Sequence, residues 1–261
     1  MSSVIESGQP ADGLPGHDWA NASGAALSLT HVTWQGSPAD DKSLTPGVSL
    51  YVPPGQSVAL YGEPPGDTID LLDIVAGLRE PLSGRVTVDE VALDRLSCPE
   101  LDRYRAGLGL ISARFPLVPS LSVIDNVLAA PPGGGVDAAT REWAAQLLAI
   151  TGAAHLDGPV GAMPAEQQWR ILIARALCTS PRLVLAEDPT PGLGSRAAAA
   201  VVDLLTDVHA QFGFTLLFAV GRLVTASCCQ RLVRLAGRAV IEDVLIGGDD
   251  PWTRDRVDRI G

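Results

Sequence analysis

The stretch from Val58 to Leu78 constrains this chain more than any other. Val58-Ala59-Leu60-Tyr61 reads as a buried strand and Gly62-Glu63-Pro64-Pro65-Gly66 as a tight turn. The residues that follow read as a helix with Ile69, Leu72, Val75 and Ala76 on its apolar side. Strand, glycine-bearing loop and helix, in that order, form the setting of a phosphate-binding loop, where backbone N–H groups and a helix N-terminus face an anion. The chemistry of such a loop needs Gly-x-x-x-x-Gly-Lys-Ser/Thr: glycines for close backbone approach, a lysine for the outer phosphates, a hydroxyl for Mg²⁺. Counting from Gly62, the second glycine is Asp67, the lysine is Thr68 and the hydroxyl residue is Ile69. The scaffold of an anion site is present, and its cradle carries a carboxylate.

No nearby lysine repairs the loop, because Lys42 is the only one in the chain. Arg114 and Arg222 are the candidate surrogate cations, and Arg79, at the far end of the helix, is too remote. Asp67 has a second reading, as the N-cap of a helix beginning at Thr68 or Ile69. A net charge of −11 and a pI near 4.7 argue against a nucleic-acid partner and against a polybasic lipid-binding surface. Cys98, Cys178, Cys228 and Cys229 lack metal-ligand spacing, so no metal site is expected. The adjacent pair would make a strained disulfide, and thiols in a reducing cytosol are expected. No signal peptide opens the chain and no apolar run approaches the length of a membrane span. The expected location is cytoplasmic, peripheral at the inner face of the plasma membrane if a partner spans it.

With 261 residues, 46% of them hydrophobic, the chain is long enough for one α/β domain. Residues 1–24 read as a flexible N-terminal arm, 25–245 as the domain and 246–261 as a C-terminal tail. Strands are expected at Leu27–Trp34, Val48–Val52, Ser57–Tyr61, Arg85–Val88, Leu108–Ser112, Arg182–Ala186 and Phe214–Val220, with a final hairpin around Gly237. Helices are expected at Pro99–Ala106, from Val123, at Asp137–Thr151 and at Gln167–Thr179. A further helix, capped by Ser195, runs to about Gln211, which makes His209 a surface histidine. Pro131–Gly135 is a flexible joint. Strands alternating with helices call for a mainly parallel sheet with an antiparallel N-terminal part and a helical insertion at about 113–178.

From Leu27 to Glu242 the chain resembles the nucleotide-binding domain of ATP-binding cassette (ABC) transporters. The residues that carry the resemblance are Ala76-Gly77-Leu78 with Ser83-Gly84; Phe115, Leu117 and Pro119 with Leu121-Ser122-Val123 and Asn126-Val127; Ile173-Ala174-Arg175-Ala176-Leu177; and Asp188-Pro189-Thr190. The resemblance implies a P-loop NTPase-like fold, ATP and Mg²⁺ as ligands, and a membrane permease subunit or another cassette subunit as partner. It also implies roles for particular positions. Gly62, Gly66, Asp67, Thr68 and Ile69 stand at the phosphate loop, and Trp34 at the place of the adenine-stacking aromatic, though it can equally pack under the sheet. Met163-Pro164-Ala165-Glu166-Gln167 stands where Leu-Ser-Gly-Gly-Gln holds the opposing subunit's nucleotide, and Glu166 there opposes the helix dipole. Glu187 and Asp188 stand at the metal and general-base positions in reversed order, and can also be simple solvated carboxylates. Ala113 replaces a glutamine, Gly194 an aspartate and Gly221 a histidine.

Phe115, Leu117 and Val118 fall on the face that in this family receives a permease's coupling helix, or else belong to the core. The expected function is a degenerate ABC subunit, a pseudo-ATPase that docks on a permease or partner cassette without efficient hydrolysis. The alternative is the ATP-binding subunit of a working transporter, completed by an intact partner.

Overall fold

The computed structural model describes residues 24–35, 46–129 and 136–246. The N-terminal arm up to residue 23, Lys42 with most of its loop, the Pro131–Gly135 joint and the tail from residue 247 lie outside the described residues.

Two sheets form. An antiparallel one places β1 (Leu27–Thr33) between β2 (Val48–Val52) and β4 (Ser83–Val88), with the two-residue β5 (Val91–Ala92) at its edge. The six-stranded sheet has the order β10-β9-β3-β8-β7-β6. Its members are β3 (Ser57–Glu63), β6 (Gly109–Ile111), β7 (Leu183–Glu187), β8 (Thr215–Val220), β9 (Arg231–Ala236) and β10 (Ala239–Leu245). All neighbours there are parallel except β9 with β10. This is the mainly parallel sheet with an antiparallel N-terminal part that the sequence predicts.

Strands β3 and β8 are nearly continuous apolar runs because both of their faces are covered. Ala59, Ala186, Leu216 and Phe218 point into one core with α3 (Val123–Leu128), α4 (Ala138–Ile150), α5 (Ala165–Leu177) and α6 (Ser195–Phe212). Their alternates Val58, Leu60, Leu185 and Leu217 point into a second core with α1 (Gly66–Val75) and the antiparallel sheet. The period of two thus sorts one sheet's side chains between two layers. On the flank, α2 (Cys98–Ala106) starts with a capping box in which the Ser97 amide donates to Glu100 at 2.8 Å.

Local signals placed most helix starts. Asp137 caps α4 by accepting from the Thr140 amide at 2.7 Å, and Ser122 caps α3. Ser195 does not cap α6: Gly194 holds the N-cap position and Ser195 is the first helical residue. α6 ends at Gly213, whose φ of +68° suits glycine. Helix α7 (Leu223–Ala226) and strand β5 went unread because neither is long enough to show a period.

His209 is not a surface residue. It is buried on α6 with its Nε2 3.1 Å from the Gly55 carbonyl, and its ring meets Phe214 edge-on at 5.4 Å. Burial lowers its pKa below the ordinary 6.5, partly offset by the Gly55 carbonyl. As pH falls below the unfolded value, the unfolded chain takes a proton that the folded chain resists, so this contribution is full above that value and is lost toward lower pH. Denaturant midpoints measured on either side of about pH 6.5 will show His209→Gln losing less stability on acidification than the wild type.

Candidate functional site

Strand β3 delivers the chain to the loop, and α1 begins at Gly66 with Pro65 as its N-cap. Asp67 is therefore not the cap. It is the second helical residue, 5% exposed, and its amide donates to the Pro64 carbonyl at 3.1 Å. Its carboxylate lies in the first turn, where the helix dipole favours negative charge, so the chain itself supplies the anion that such an N-terminus would otherwise recruit. Thr68, at the lysine position, is 2% exposed, and its hydroxyl turns back to donate to the Pro65 carbonyl at 2.8 Å. Gly62 lies directly beneath it: a Cβ there would come 2.8 Å from Thr68 Cγ2. Ile69 packs half-buried against the second core.

The dominant charge contact of the site joins three segments distant in sequence. Arg114, just after β6, forms a fork on Asp73 of α1 at 2.8 and 2.9 Å, and its Nε donates to Glu187 at the end of β7 at 2.6 Å. The Asp73 and Glu187 carboxylates together hold the guanidinium charged, raising its pKa against the cost of burial. Arg114 is thus a cation held on Asp73 and Glu187 and not a phosphate ligand aimed at the loop. Asp73 follows Ile69 by four residues, on the same helix face.

Asp188 is held by backbone donors. One oxygen accepts from the Thr190 amide at 2.8 Å and the other from the Gly221 amide at 2.7 Å. A Cβ on Gly221 would stand 3.0 Å from that second oxygen. A cavity of about 760 Å³ opens beside them, bordered by Thr190, Asp188, Gly221, Arg222, Thr206 and Cys228.

These residues do not fit a Mg²⁺–nucleotide. Glu187 is engaged by Arg114, Ile69 offers no oxygen, and Asp67 sets a carboxylate in the cradle. Trp34 offers no face for adenine either: it is 2% exposed and packs in the second core.

At the signature position, Met163 ends a short 3-10 turn, Pro164 is the N-cap of α5 and Ala165 its first residue. Gln167 follows in the first turn, and the side-chain Nε2 of Gln168 donates to the Met163 carbonyl at 2.8 Å. Glu166 does not project freely toward an opposing subunit. It pairs with Arg170 one turn on at 3.0 Å, and Arg170 also donates to the Thr151 carbonyl at 3.0 Å.

The expected docking face divides. Phe115 and Val118 are exposed, whereas Leu117 belongs to the first core. Arg175 of α5 fastens the backbone beneath them by donating to the Pro116 carbonyl at 3.0 Å and to that of Phe115. Asn126, fully buried, accepts from the Val118 amide at 2.7 Å and donates to the carbonyls of Val118, Leu121 and Ser122. A groove of about 460 Å³ beside Phe115 is walled by Arg105, Arg114, Pro116, Ala129 and Arg175.

A strand feeding a glycine-bearing loop and helix, with paired acids at the end of a parallel strand two places along the same sheet, defines a P-loop cassette. The ABC transporter family model matches residues 45–191, and the chain belongs to that family. It is 33% identical over 197 residues to a lipoprotein-releasing system ATP-binding protein, LolD 1, of Caulobacter vibrioides, covering 74% of this chain and 84% of that protein. It is 32% identical to a phosphonates import ATP-binding protein of Rhodopseudomonas palustris, covering 80% and 85%. A macrolide export ATP-binding/permease protein of Syntrophobacter fumaroxidans is 31% identical over 78% of this chain and 29% of its own length. In fold, the chain is similar to the dimeric structure of MJ0796, a bacterial ABC transporter cassette, with a TM-score of 0.73 at 24% identity over 85% of this chain and 99% of that one. Among the described residues no helix is long and apolar enough to cross a membrane.

Proposed function

We propose that this chain is a cassette subunit that docks on a membrane permease and pairs with a second cassette, while its own nucleotide site binds Mg-ATP poorly and does not hydrolyse it efficiently. The observation that carries this reading is the Arg114 fork: a tethered cation sits on Glu187 and Asp73, at 2.6 to 2.9 Å. A metal seeking the same carboxylate must displace it. The exposed Phe115 and Val118, carried on backbone that Arg175 and Asn126 hold in place, are the surface offered to the permease. Residues 25–245 form the cassette and about 113–178 its helical part, and the subunit works at the cytoplasmic face of the membrane that holds the permease. One relative, the macrolide export protein, is by its name both ATP-binding protein and permease, which supports a permease as partner.

A second reading is favoured by the relatives' names, which are those of ATP-binding proteins of releasing, import and export systems. In it the chain is the ATP-binding subunit of a working transporter, Arg114 leaves Glu187 when Mg-ATP arrives, and Asp188 orients the attacking water. Ligand-induced stabilisation separates the two. A ligand present at about 100 times its Kd adds about 2.7 kcal/mol to stability, so a functional site shifts the melting temperature by several degrees in millimolar Mg-ATP. The proposal expects no resolvable shift; a clear one supports the second reading.

A further inference from the structure

We propose that Cys228 and Cys229 are an oxidisable dithiol, which a hydroperoxide entering the cavity beside Asp188 converts to a vicinal disulfide. The two residues are neighbours in the turn between α7 and β9, both are free thiols, and their Sγ atoms lie 3.8 Å apart. Their environments differ. Cys228 is partly exposed and lines the 760 Å³ cavity together with Thr206, while Cys229 is 5% exposed and packs in the first core. The hydrogen bond from Cys229 lowers the Cys228 pKa against burial, Thr206 adds to the lowering and Asp188 opposes it; Cys229 is raised by the same contact and by burial. The thiolate is the nucleophile in such chemistry, so the accessible Cys228 attacks and the buried Cys229 resolves.

The steps balance with the hydroperoxide as oxidant. Cys228 sulfur attacks the peroxide, the O–O bond breaks, and the leaving alkoxide takes a proton to become an alcohol. Cys228 is left as a sulfenic acid. Cys229 then loses its proton and its sulfur displaces hydroxide from Cys228, which leaves as water once protonated. Two thiols and one peroxide give one disulfide, one alcohol and one water, with the peroxide reduced by two electrons. The trans peptide fixes adjacent Cα atoms about 3.8 Å apart, below the usual disulfide span of about 4.4 to 6.8 Å, so the ring closes under constraint. That turn follows Gly221, whose amide holds Asp188. A bond made under this constraint is reversed by excess dithiol, which suits a transient role in a reducing compartment.

The test uses the full chain treated with hydrogen peroxide, then alkylated and mapped by mass spectrometry. The wild type is expected to lose two hydrogens within the Leu223–Arg231 segment before Cys98 is modified, to stay free of intermolecular crosslinks, and to recover both thiols in dithiothreitol. In C229S, dimedone is expected to trap a sulfenic acid on Cys228; in C228S, Cys229 is expected to remain unlabelled. Should a variant fold poorly, the wild-type map still decides. Sulfinic acid at Cys228 without a disulfide, crosslinked dimers through either residue, or oxidation at Cys98 alone would overturn the proposal.

Discussion

Asp67→Gly, Thr68→Lys and Ile69→Ser, introduced together, raise affinity for Mg-ATP on the order of 100-fold and leave phosphate release at background. The gain follows from one charged phosphate contact, worth about 1.5–3 kcal/mol, together with a metal hydroxyl and removal of the opposing carboxylate. The frame for these groups exists, since β3 and α1 already hold the strand-loop-helix geometry with Gly62 beneath position 68. Turnover does not follow, because Ala113 and Gly221 supply no water-positioning group and Arg114 still engages Glu187. Groups that act together in a transition state give little when only some are restored. Gly221→His brings a Cβ to 3.0 Å from Asp188 Oδ2, so that carboxylate must shift by a few tenths of an ångström to accept it. Isothermal titration gives the affinity and a phosphate-release assay the rate. Rapid hydrolysis by the triple variant would mean that the remaining machinery is intact.

Arg114→Ala lowers the stability of the fold by about 2 kcal/mol. The figure lies between the 3–5 kcal/mol of a broken buried pair and the 0–1 kcal/mol of an exposed one, because Arg114 is 42% exposed while Asp73 and Glu187 are 20% and 14% exposed. Its removal leaves two screened carboxylates facing one another without a cation. At about 2–4 °C per kcal/mol for a domain of this size, the melting temperature falls by roughly 4–8 °C. Arg114→Lys recovers part of the loss, since an ammonium keeps the charge but not the planar fork. An unchanged melting temperature in Arg114→Ala would show that the ion pair contributes nothing to joining α1, β6 and β7.

The parts of the fold legible in the sequence were those with a period or a punctuation mark. The apolar runs of β3 and β8 announced strands covered on both faces, and Asp137 with Thr140 announced the start of α4. His209 was also legible in principle, since it falls on the same stripe as Val201, Leu205 and Phe212 of α6, but a polar side chain on an apolar stripe was assigned to the surface. Its partner, the Gly55 carbonyl, lies 154 residues away. The same limit hid the site's main charge contact: Arg114 meets Asp73 and Glu187 across 41 and 73 residues, and no local pattern reports such a meeting. Trp34 and Leu117 were aromatic and aliphatic candidates for contact with a ligand or partner, and packing claimed both. In contrast, the reading that places Asp67, Thr68 and Ile69 at the glycine, lysine and hydroxyl positions of a phosphate loop needs only local spacing counted from Gly62.

The most direct test of the account is steady-state phosphate release by the purified chain in saturating Mg-ATP, measured beside Asp188→Asn. The account predicts that both release phosphate at the same background rate. Turnover on the order of 1 per second, within the ordinary enzymatic range, that disappears in Asp188→Asn would contradict it and establish Asp188 as the base of a working ATPase.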